Sequence, residues 1–376
     1  MKKSNIGIIT FPLGKFSAIP FYQMACIVNS LANQVYIITG NAGIDVAQKL
    51  KGSHFELICH TSGSNKITRM YNYAKAQLTI PFLMIKLSKN VDFWIFPISG
   101  EDLLPCVILS KIQRKPVIMV LSSSTELMTN HHKNPFTPIV VFFTKVNYFL
   151  ATKIVLYSSA LVSEWHLEKY RHKIHIAHRH FLDFTTFTIT TPLSQRPPLI
   201  GYIGRLSGEK GIQHFAQALP AILSEQKDLR VLIGGDGELK EAIAGTLQEE
   251  GIADRVNLLG IITHDDISKY LNQLRLLVLP SYTEGLPNIM LEAMACGTPV
   301  LATQVGAIPD IIKEGETGFI MEDNSPMCIA ENVIRVLNSP DLVWIAENGR
   351  RFVEENHTFE KTMERWKELL QRENIF

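Results

Sequence analysis

Two glutamates, Glu284 and Glu292, flank a predicted helix start and form the clearest chemical pattern in the sequence. Pro287 suits the first turn of a helix and Gly297 suits its carboxy-terminal cap, so we predict a helix over about 287–295. At about 1.5 Å rise per residue, the two carboxylates would lie roughly 8 to 12 Å apart along the helix axis. That separation is too large for sharing one proton and suits two ends of one extended ligand.

The helix start between the two glutamates favours an anion. The first N–H groups of a helix lack intrahelical partners and carry the positive end of its dipole. Such donors are expected at Gly285, Leu286 and Asn288. A diphosphate between two hydroxyl-bearing groups fits this pattern, and a nucleotide-sugar is such a molecule.

A second segment carries two cations close together. The run from Gly204 to Gly211 places Arg205 and Lys210 five residues apart, just before a predicted helix. Fixed cations of this kind stabilise negative charge on a ligand without a metal. We therefore predict neither a metal nor another cofactor, and we interpret Asp265–Asp266 as a capping turn.

A glycine turn follows another predicted strand of the same half. Gly235 and Gly237 lie in this turn, where the absence of side chains lets backbone approach a ligand closely. We take both glycines as candidate donor contacts, although turn geometry alone is a good reason for a glycine.

Together these segments resemble the retaining glycosyltransferases of family 4, over most of residues 199–325. The resemblance rests on the two glutamates with seven residues between them and on G-R-x-x-x-x-K-G at 204–211. It implies the GT-B fold, an α/β architecture in which two Rossmann-like, doubly wound parallel-sheet domains face a central cleft. It also implies that the substrate is a nucleotide-diphosphate sugar.

The resemblance also implies a role for each residue of the motif. Arg205 and Lys210 would neutralise the donor diphosphate, Glu284 would hold the transferred sugar, and Glu292 would accept hydrogen bonds from the ribose. The base would lie against backbone near Ile261 and Ile262.

Short β-branched runs alternate with longer amphipathic stretches, which independently predicts parallel α/β domains. In such sheets ligands bind beyond the carboxyl ends of the strands, where all of the segments above begin. The predicted strands are 5–10, 35–39, 55–59, 93–97, 116–121, 199–204, 230–234, 276–280 and 299–302.

A proline-rich stretch interrupts this alternation and divides the chain. We predict an acceptor-side domain over 1–190, a linker over 191–198 and a nucleotide-sugar domain over 199–356. The last helix, 357–376, is predicted to pack back on the first domain.

The composition indicates the cellular compartment in which these domains work. The 376 residues are 46% hydrophobic, and the five cysteines show no C-x-x-C pair, which favours a reducing compartment. No apolar run reaches the roughly 18 residues of a membrane span. We expect a cytoplasmic protein.

Charge divides unequally between the two halves. Residues 1–198 hold 21 Lys and Arg against 9 Asp and Glu, a net charge of +12, and residues 199–376 have a net charge of −11. The segment 65–90 has five Lys or Arg and no acid, interleaved with aromatic and aliphatic residues. It is typical either of a membrane-surface helix or of a helix packed in a core. We favour peripheral attachment to an anionic membrane at the inner face of the cell membrane, and an acceptor that is a lipid or a lipid-linked glycan.

The amino-terminal half departs from the family pattern. Where the family often has a histidine after the fifth strand, this chain has Ser122. Gly14, Ser122 and His180 are our candidates for an acceptor or phosphate loop, whereas His131–His132 is more simply a solvated loop.

The expected function is transfer of a hexose with retention of configuration to a glycan or lipid-linked acceptor. Two other classes stay open: a sugar-nucleotide epimerase or phosphorylase on the same scaffold, and a catalytically silent nucleotide-sugar-binding subunit. The basic amino-terminal half contains no nucleic-acid recognition motif, so its charge does not indicate nucleic-acid binding.

Overall fold

Two parallel sheets organise the chain. The structure is a computed structural model that describes residues 4–14, 17–50, 52–61, 65–98, 100–124 and 137–372. It divides into a first domain, Met1–Phe181 with Phe359–Phe376, and a second domain, Leu182–Thr358. The division at Phe181 differs from the predicted end of the first domain at residue 190, and each domain has its own sheet.

The first domain contains seven parallel strands in its described residues, in the order β3-β2-β1-β4-β5-β6-β7. The order reverses at β1 and β4, the arrangement of a doubly wound sheet. The strands are β1 Asn5–Ile9, β2 Gln34–Gly40, β3 His54–Ile58, β4 Phe93–Pro97, β5 Val117–Val120, β6 Lys153–Leu156 and β7 Ile174–Ile176. The helices are α1 Ala18–Leu31, α2 Gly43–Lys49, α3 Lys66–Ser88, α4 Leu104–Ile112, α5 Thr137–Leu150 and α6 Ala160–Glu164.

The second domain contains six parallel strands in its described residues, in the order β10-β9-β8-β11-β12-β13. They are β8 Leu199–Ile203, β9 Arg230–Gly234, β10 Val256–Gly260, β11 Leu276–Leu279, β12 Val300–Thr303 and β13 Phe319–Met321. The helices are α7 Ile212–Glu225, α8 Lys240–Glu249, α9 His264–Leu271, α10 Asn288–Ala295, α11 Ile308–Ile311, α12 Pro326–Leu337 and α13 Leu342–Asn356. A final helix, α14 Phe359–Arg372, belongs to the first domain, where it contacts α1.

Apolar burial fixes both sheets. All five residues of β4 are buried, as are all four of β11, because helices cover both faces of a doubly wound sheet. No helix within the described ranges combines the length and the apolar character that a membrane span requires.

The segment predicted as a linker, 191–198, is fixed within the second domain. It forms a short 3-10 turn at Leu193–Gln195, followed by Arg196, whose side chain is only 3% exposed. The Arg196 guanidinium donates to the backbone oxygens of Thr191, Leu271, Leu274 and Cys296 and to Thr298 Oγ1. Burial lowers the pKa of Arg196 to about 10, so the group stays charged at neutral pH. Prolines and polar residues here build an ordered connection rather than a flexible one.

Candidate active site

The point where the strand order reverses brings the two main motifs together. β8 and β11 pair directly, with Leu277 opposite Gly201, and the motif segments 204–211 and 280–287 follow these two strands. Since the carboxyl ends of parallel strands share one edge, side chains from both segments converge there.

Lys210 and Glu284 meet at this edge. Lys210 Nζ lies 2.7 Å from Glu284 Oε1, and Ser281 Oγ donates to the same oxygen at 2.8 Å. The Glu284 side chain is 10% exposed and the Lys210 side chain 24% exposed. An ammonium carries three donors, so Lys210 can bond Glu284 and an anionic ligand oxygen at the same time.

Glycines allow the loops around this pair to approach closely. Gly211 has φ +65°, and a Cβ there would lie 1.9 Å from the carbonyl oxygen of Pro280. Gly306 has φ +62°, and its Cβ would lie 2.1 Å from the carbonyl oxygen of Glu284. Side chains at either position would displace the backbone that carries Glu284.

Arg205 is held by a residue that we did not single out from the sequence, Glu209. Arg205 Nη1 lies 3.2 Å from Glu209 Oε1, and Ser207 Oγ donates to that oxygen at 2.7 Å. Burial opposes ionisation of Glu209, but the bond from Ser207 and the charges of Arg205 and Lys210 outweigh it and lower its pKa. The buried carboxylate thus fixes the guanidinium of Arg205, whose side chain is 41% exposed.

Glu292 lies in the second turn of α10 and pairs with His264, at the start of α9. Glu292 Oε1 is 3.2 Å from His264 Nε2, and their side chains are 6% and 34% exposed. The helix begins at Asn288, one residue after the predicted start, and Gly297 follows it with φ +64°. The separation of the Glu284 and Glu292 carboxylates stays a prediction. His264 was missed because it is 28 residues from Glu292 and no local pattern links them.

The glycine turn after β9 packs against the motif loop that follows β8. Gly235 has φ +137°, and a Cβ there would lie 1.8 Å from the carbonyl oxygen of Gly204. A Cβ on Gly237 would lie 2.3 Å from the carbonyl oxygen of Leu206. Both glycines therefore have a packing reason independent of any ligand.

The remaining donor-side candidates lie on the same sheet edge. Ile261 follows β10 and is 62% exposed, whereas Ile262 packs on Gly234. Gly285, Leu286 and Pro287 are buried, and Asn288 is half-buried. Contact of these residues with a nucleotide base or a phosphate stays a prediction.

Asp265 and Asp266 lie in the first turn of α9, which begins at His264, and Thr263 Oγ1 donates to Asp266 Oδ2 at 2.6 Å. The capping residue is Thr263, so the interpretation of the two aspartates as the capping turn is wrong, because they lie one and two positions after the first residue of the helix. Within the described residues, no three His, Cys, Asp or Glu side chains are grouped as a metal site requires.

The candidates in the first domain lie in three different surroundings. Gly14 is exposed after β1, and Ser122 is half-buried after β5. His180 is 1% exposed and packs edge-on against Tyr157, with ring centres 4.9 Å apart, so it lies inside its own domain. His131–His132 lies outside the described residues.

Asp102, in the segment after β4, is a further candidate functional residue that the sequence did not indicate. Tyr73 Oη donates to its Oδ2 at 3.2 Å, whereas Oδ1 is enclosed and accepts no hydrogen bond from the described residues. Burial raises the pKa of Asp102 to about 6. The only advance signal was an acidic residue five positions beyond a fully buried strand.

Comparison with known proteins finds relatives for the part of the chain that carries these motifs. Residues 197–339 match the family model of the glycosyl transferases group 1. The chain is 30% identical over 145 residues to alpha-D-kanosaminyltransferase of Streptomyces kanamyceticus, covering 39% of this chain and 38% of that protein. It is 31% identical over 179 residues to the capsular polysaccharide biosynthesis glycosyltransferase CapM of Staphylococcus aureus, covering 47% and 46%. The match thus spans less than half of the length of these curated relatives.

A solved structure extends the likeness to the rest of the fold. Anabaena HepE in complex with UDP and glucose has a TM-score of 0.77 and 17% identity, over 98% of this chain and 100% of that one. The chain thus has the GT-B fold, and its segment 197–339 is similar to the glycosyl transferases of group 1.

Proposed function

We propose that this protein transfers a hexose from a nucleotide-diphosphate sugar to a glycan or lipid-linked acceptor, with retention of configuration. The observation that carries the proposal is the ion pair of Lys210 with Glu284, at the strand reversal of the second domain. It joins a cation for the diphosphate to a carboxylate for the sugar hydroxyls. The family match of residues 197–339 supports a transferase.

The site suits departure of a diphosphate. The C1–O bond to the phosphate breaks, the acceptor oxygen bonds C1 on the same face, and the acceptor proton leaves on the diphosphate. Arg205 and Lys210 supply positive charge where negative charge develops, and each is already held by a carboxylate. Because these groups are arranged in advance, little reorganisation accompanies the reaction.

The nucleoside would lie toward α10. Glu292 accepts a hydrogen bond from His264 when Nε2 is protonated and has a second oxygen for a ribose hydroxyl. HepE was solved with UDP and glucose, and CapM is named for capsular polysaccharide biosynthesis. These names support a nucleotide-sugar donor and a glycan acceptor here, in cell-surface polysaccharide, glycolipid or glycoprotein glycan assembly.

The proposed reaction needs no metal, since the diphosphate charge is met by side chains. Activity should persist in EDTA, and restoration by Mg²⁺ or Mn²⁺ after a loss in EDTA would contradict this part of the proposal. We place the reaction on the cytoplasmic side of the membrane, where the protein is peripheral.

The test is transfer from labelled uridine, guanosine, thymidine and adenosine diphosphate sugars to a membrane extract, with Glu284→Gln as the inactive control. We expect one donor to label the extract, and NMR of the product to show the anomeric configuration of the donor. Thermal shift with the same donors reports binding, because a ligand of the folded state raises stability. Binding without transfer or hydrolysis of any donor would leave only the silent-subunit reading, and an inverted product would exclude retention.

A further inference from the structure

Helix α3 of the first domain has two apolar faces, and only one of them is covered. Ala76, Ile80 and Met84 are buried against the domain. Opposite them, large apolar side chains recur every three to seven residues and are 53% to 76% exposed: Ile67, Tyr71, Leu78, Phe82 and Ile85. This spacing keeps them along one side of the helix, over about five turns. A continuous apolar surface of this kind marks an interaction site.

Neighbouring helices extend this surface. Exposed apolar side chains of α4 and α5 continue it: Ile108, Ile112, Ile139 and Phe142. We call this surface of α3, α4 and α5 the α3–α5 face. It lies within the first domain, and scattered single apolar residues would not form such an array.

An open groove of about 740 Å³ runs through the α3–α5 face. Its lining is almost wholly apolar and includes Leu78, Ile85, Ile108, Ile112 and Phe143. Helices α3 and α4 run side by side along it, since Gln77 bonds the backbone of Asp102 at one end and Ser88 bonds Gln113 at the other. The groove is thus elongated, with the shape of a chain rather than of a compact ligand.

The charge of the α3–α5 face has a single sign. Exposed cations rise from its three helices: Arg69, Lys75, Lys86, Lys111 and Lys145. No Asp or Glu occurs in 66–88, 104–124 or 137–150. Lys86 Nζ lies 5.3 Å from the centre of the Phe82 ring, so its stem covers an apolar neighbour while its ammonium reaches outward. Apolar side chains beside cations without acids match the boundary between acyl chains and anionic headgroups.

We propose that the α3–α5 face docks on an anionic lipid bilayer. Helix α3 lies in the plane of the headgroups, its exposed stripe enters the acyl layer, and an acyl chain occupies the groove. A folded protein partner that fits the groove would need an elongated apolar ridge flanked by acidic residues. A bilayer supplies apolar acyl chains and anionic headgroups together. Docking needs no sugar transfer, so its failure would leave the proposed reaction standing.

Vesicle flotation tests the docking with the full chain. We expect binding to vesicles of phosphatidylcholine with phosphatidylglycerol, weak binding to phosphatidylcholine alone, and loss of binding in high salt. The double variant Leu78→Ser, Phe82→Ser should lose more than tenfold in partition. The double variant Lys75→Glu, Lys86→Glu should also lose more than tenfold, at about fivefold for each cation removed.

Matched controls come from the second domain. Trp344→Ser removes a side chain that is 54% exposed, and Lys227→Glu reverses an exposed charge. Both should bind vesicles like the unaltered protein. Circular dichroism and thermal unfolding must show that all variants fold. Equal binding by the Leu78, Phe82 variant, or no binding by the unaltered protein, would overturn the proposal.

Two further measurements identify the occupant. Phe82→Trp places an indole in the stripe, and lipids brominated on the acyl chain should quench the added emission, whereas the emission added by Met327→Trp in the second domain should be unaffected. Sedimentation without vesicles tests self-association. If the protein is a dimer that Leu78→Ser, Phe82→Ser converts to a monomer, the face is a subunit interface and the proposal is wrong.

Discussion

Lys210 Nζ and Glu284 Oε1 lie 2.7 Å apart although 74 positions separate the two residues in the sequence. The contact joins the loops after β8 and β11, so it depends on the parallel pairing of these strands. Ser281 bonds the same carboxylate oxygen, which fixes the carboxylate from two sides. The fold therefore arranges opposite charges side by side before any substrate arrives.

Loss of either partner of this pair should reduce catalysis more than nucleotide binding. Removing a fixed charge that stabilises a transition state costs about 10²- to 10³-fold in kcat. We expect such losses for Lys210→Met and Glu284→Gln, with nucleoside diphosphate affinity in Glu284→Gln within about threefold of the unaltered protein. Initial rates and titration calorimetry measure the two effects. A rate within tenfold of the unaltered enzyme in both variants would refute the assigned roles.

Glu292 should bind the ribose of the nucleotide and not the transferred hexose. Glu292→Ala should weaken nucleoside diphosphate binding by about tenfold, the value of one hydrogen bond to a charged group. A 2′,3′-dideoxy analogue should bind the unaltered protein more weakly, yet bind Glu292→Ala as well as the natural nucleotide does. Calorimetry with both proteins and both nucleotides isolates the contact between Glu292 and the ribose. An equal loss of affinity for the dideoxy analogue in both proteins would contradict this contact.

Gly211 should tolerate no side chain. Gly211→Ala places a Cβ against the carbonyl oxygen of Pro280 at positive φ, so we expect a loss of at least about 2 kcal/mol in the free energy of unfolding. Gly208→Ala is the matched control in the same loop, because no atom lies within 4 Å of its Cβ position. Urea unfolding compares them, and equal midpoints for both variants would show that the loop adjusts freely.

Asp102 should make the stability of the first domain depend on pH. Its pKa rises from 3.8 to about 6 on folding, because burial disfavours the carboxylate. The stabilisation that this group gives is therefore complete below pH 3.8 and is lost as the pH rises through 6.

The variant Asp102→Asn keeps an acceptor for Tyr73 and carries no charge. Its free energy of unfolding should exceed that of the unaltered protein increasingly from about pH 4 to about pH 7, and by a constant amount of at most about 3 kcal/mol above that. Urea unfolding at several pH values measures this difference. A difference that stays constant with pH would mean that Asp102 ionises normally in the fold.

Much of the fold follows from local sequence. All nine predicted strands exist, because each is a β-branched or apolar run followed by a turn. The strands that were missed are β6, β7, β10 and β13. β7 and β13 have three residues each and lie at sheet edges. β6 begins with Lys153, and lysine is a residue type that is usually found at the surface. β10 has an irregular register before Gly260. Short or irregular strands carry too little pattern to separate from loops.

The donor motifs were predicted because they are local in the chain, whereas their partners Glu209 and His264 were missed. Spacing alone indicates the helix that begins near Pro287, and the helix is confirmed at Asn288–Ala295. Glu209 could have been found as the fourth residue after Arg205. His264 meets Glu292 only through the packing of α9 on α10, which no periodicity reveals. Buried charge at Asp102 likewise depends on tertiary packing.

The environment of Arg196 bears on how the second domain can be produced alone. Composition would suggest a fragment that begins at residue 199, and the family match begins at residue 197. Either cut removes a guanidinium that satisfies five acceptors, four of them backbone carbonyls. Thr191 is removed by the same cut, and the carbonyl of Leu271 keeps a bond from Thr298 Oγ1. The carbonyls of Leu274 and Cys296 would lose the Arg196 donor, at a cost of about 1 to 3 kcal/mol each where they remain buried. An expression clone for this domain should therefore start at Leu182, upstream of the apparent boundary.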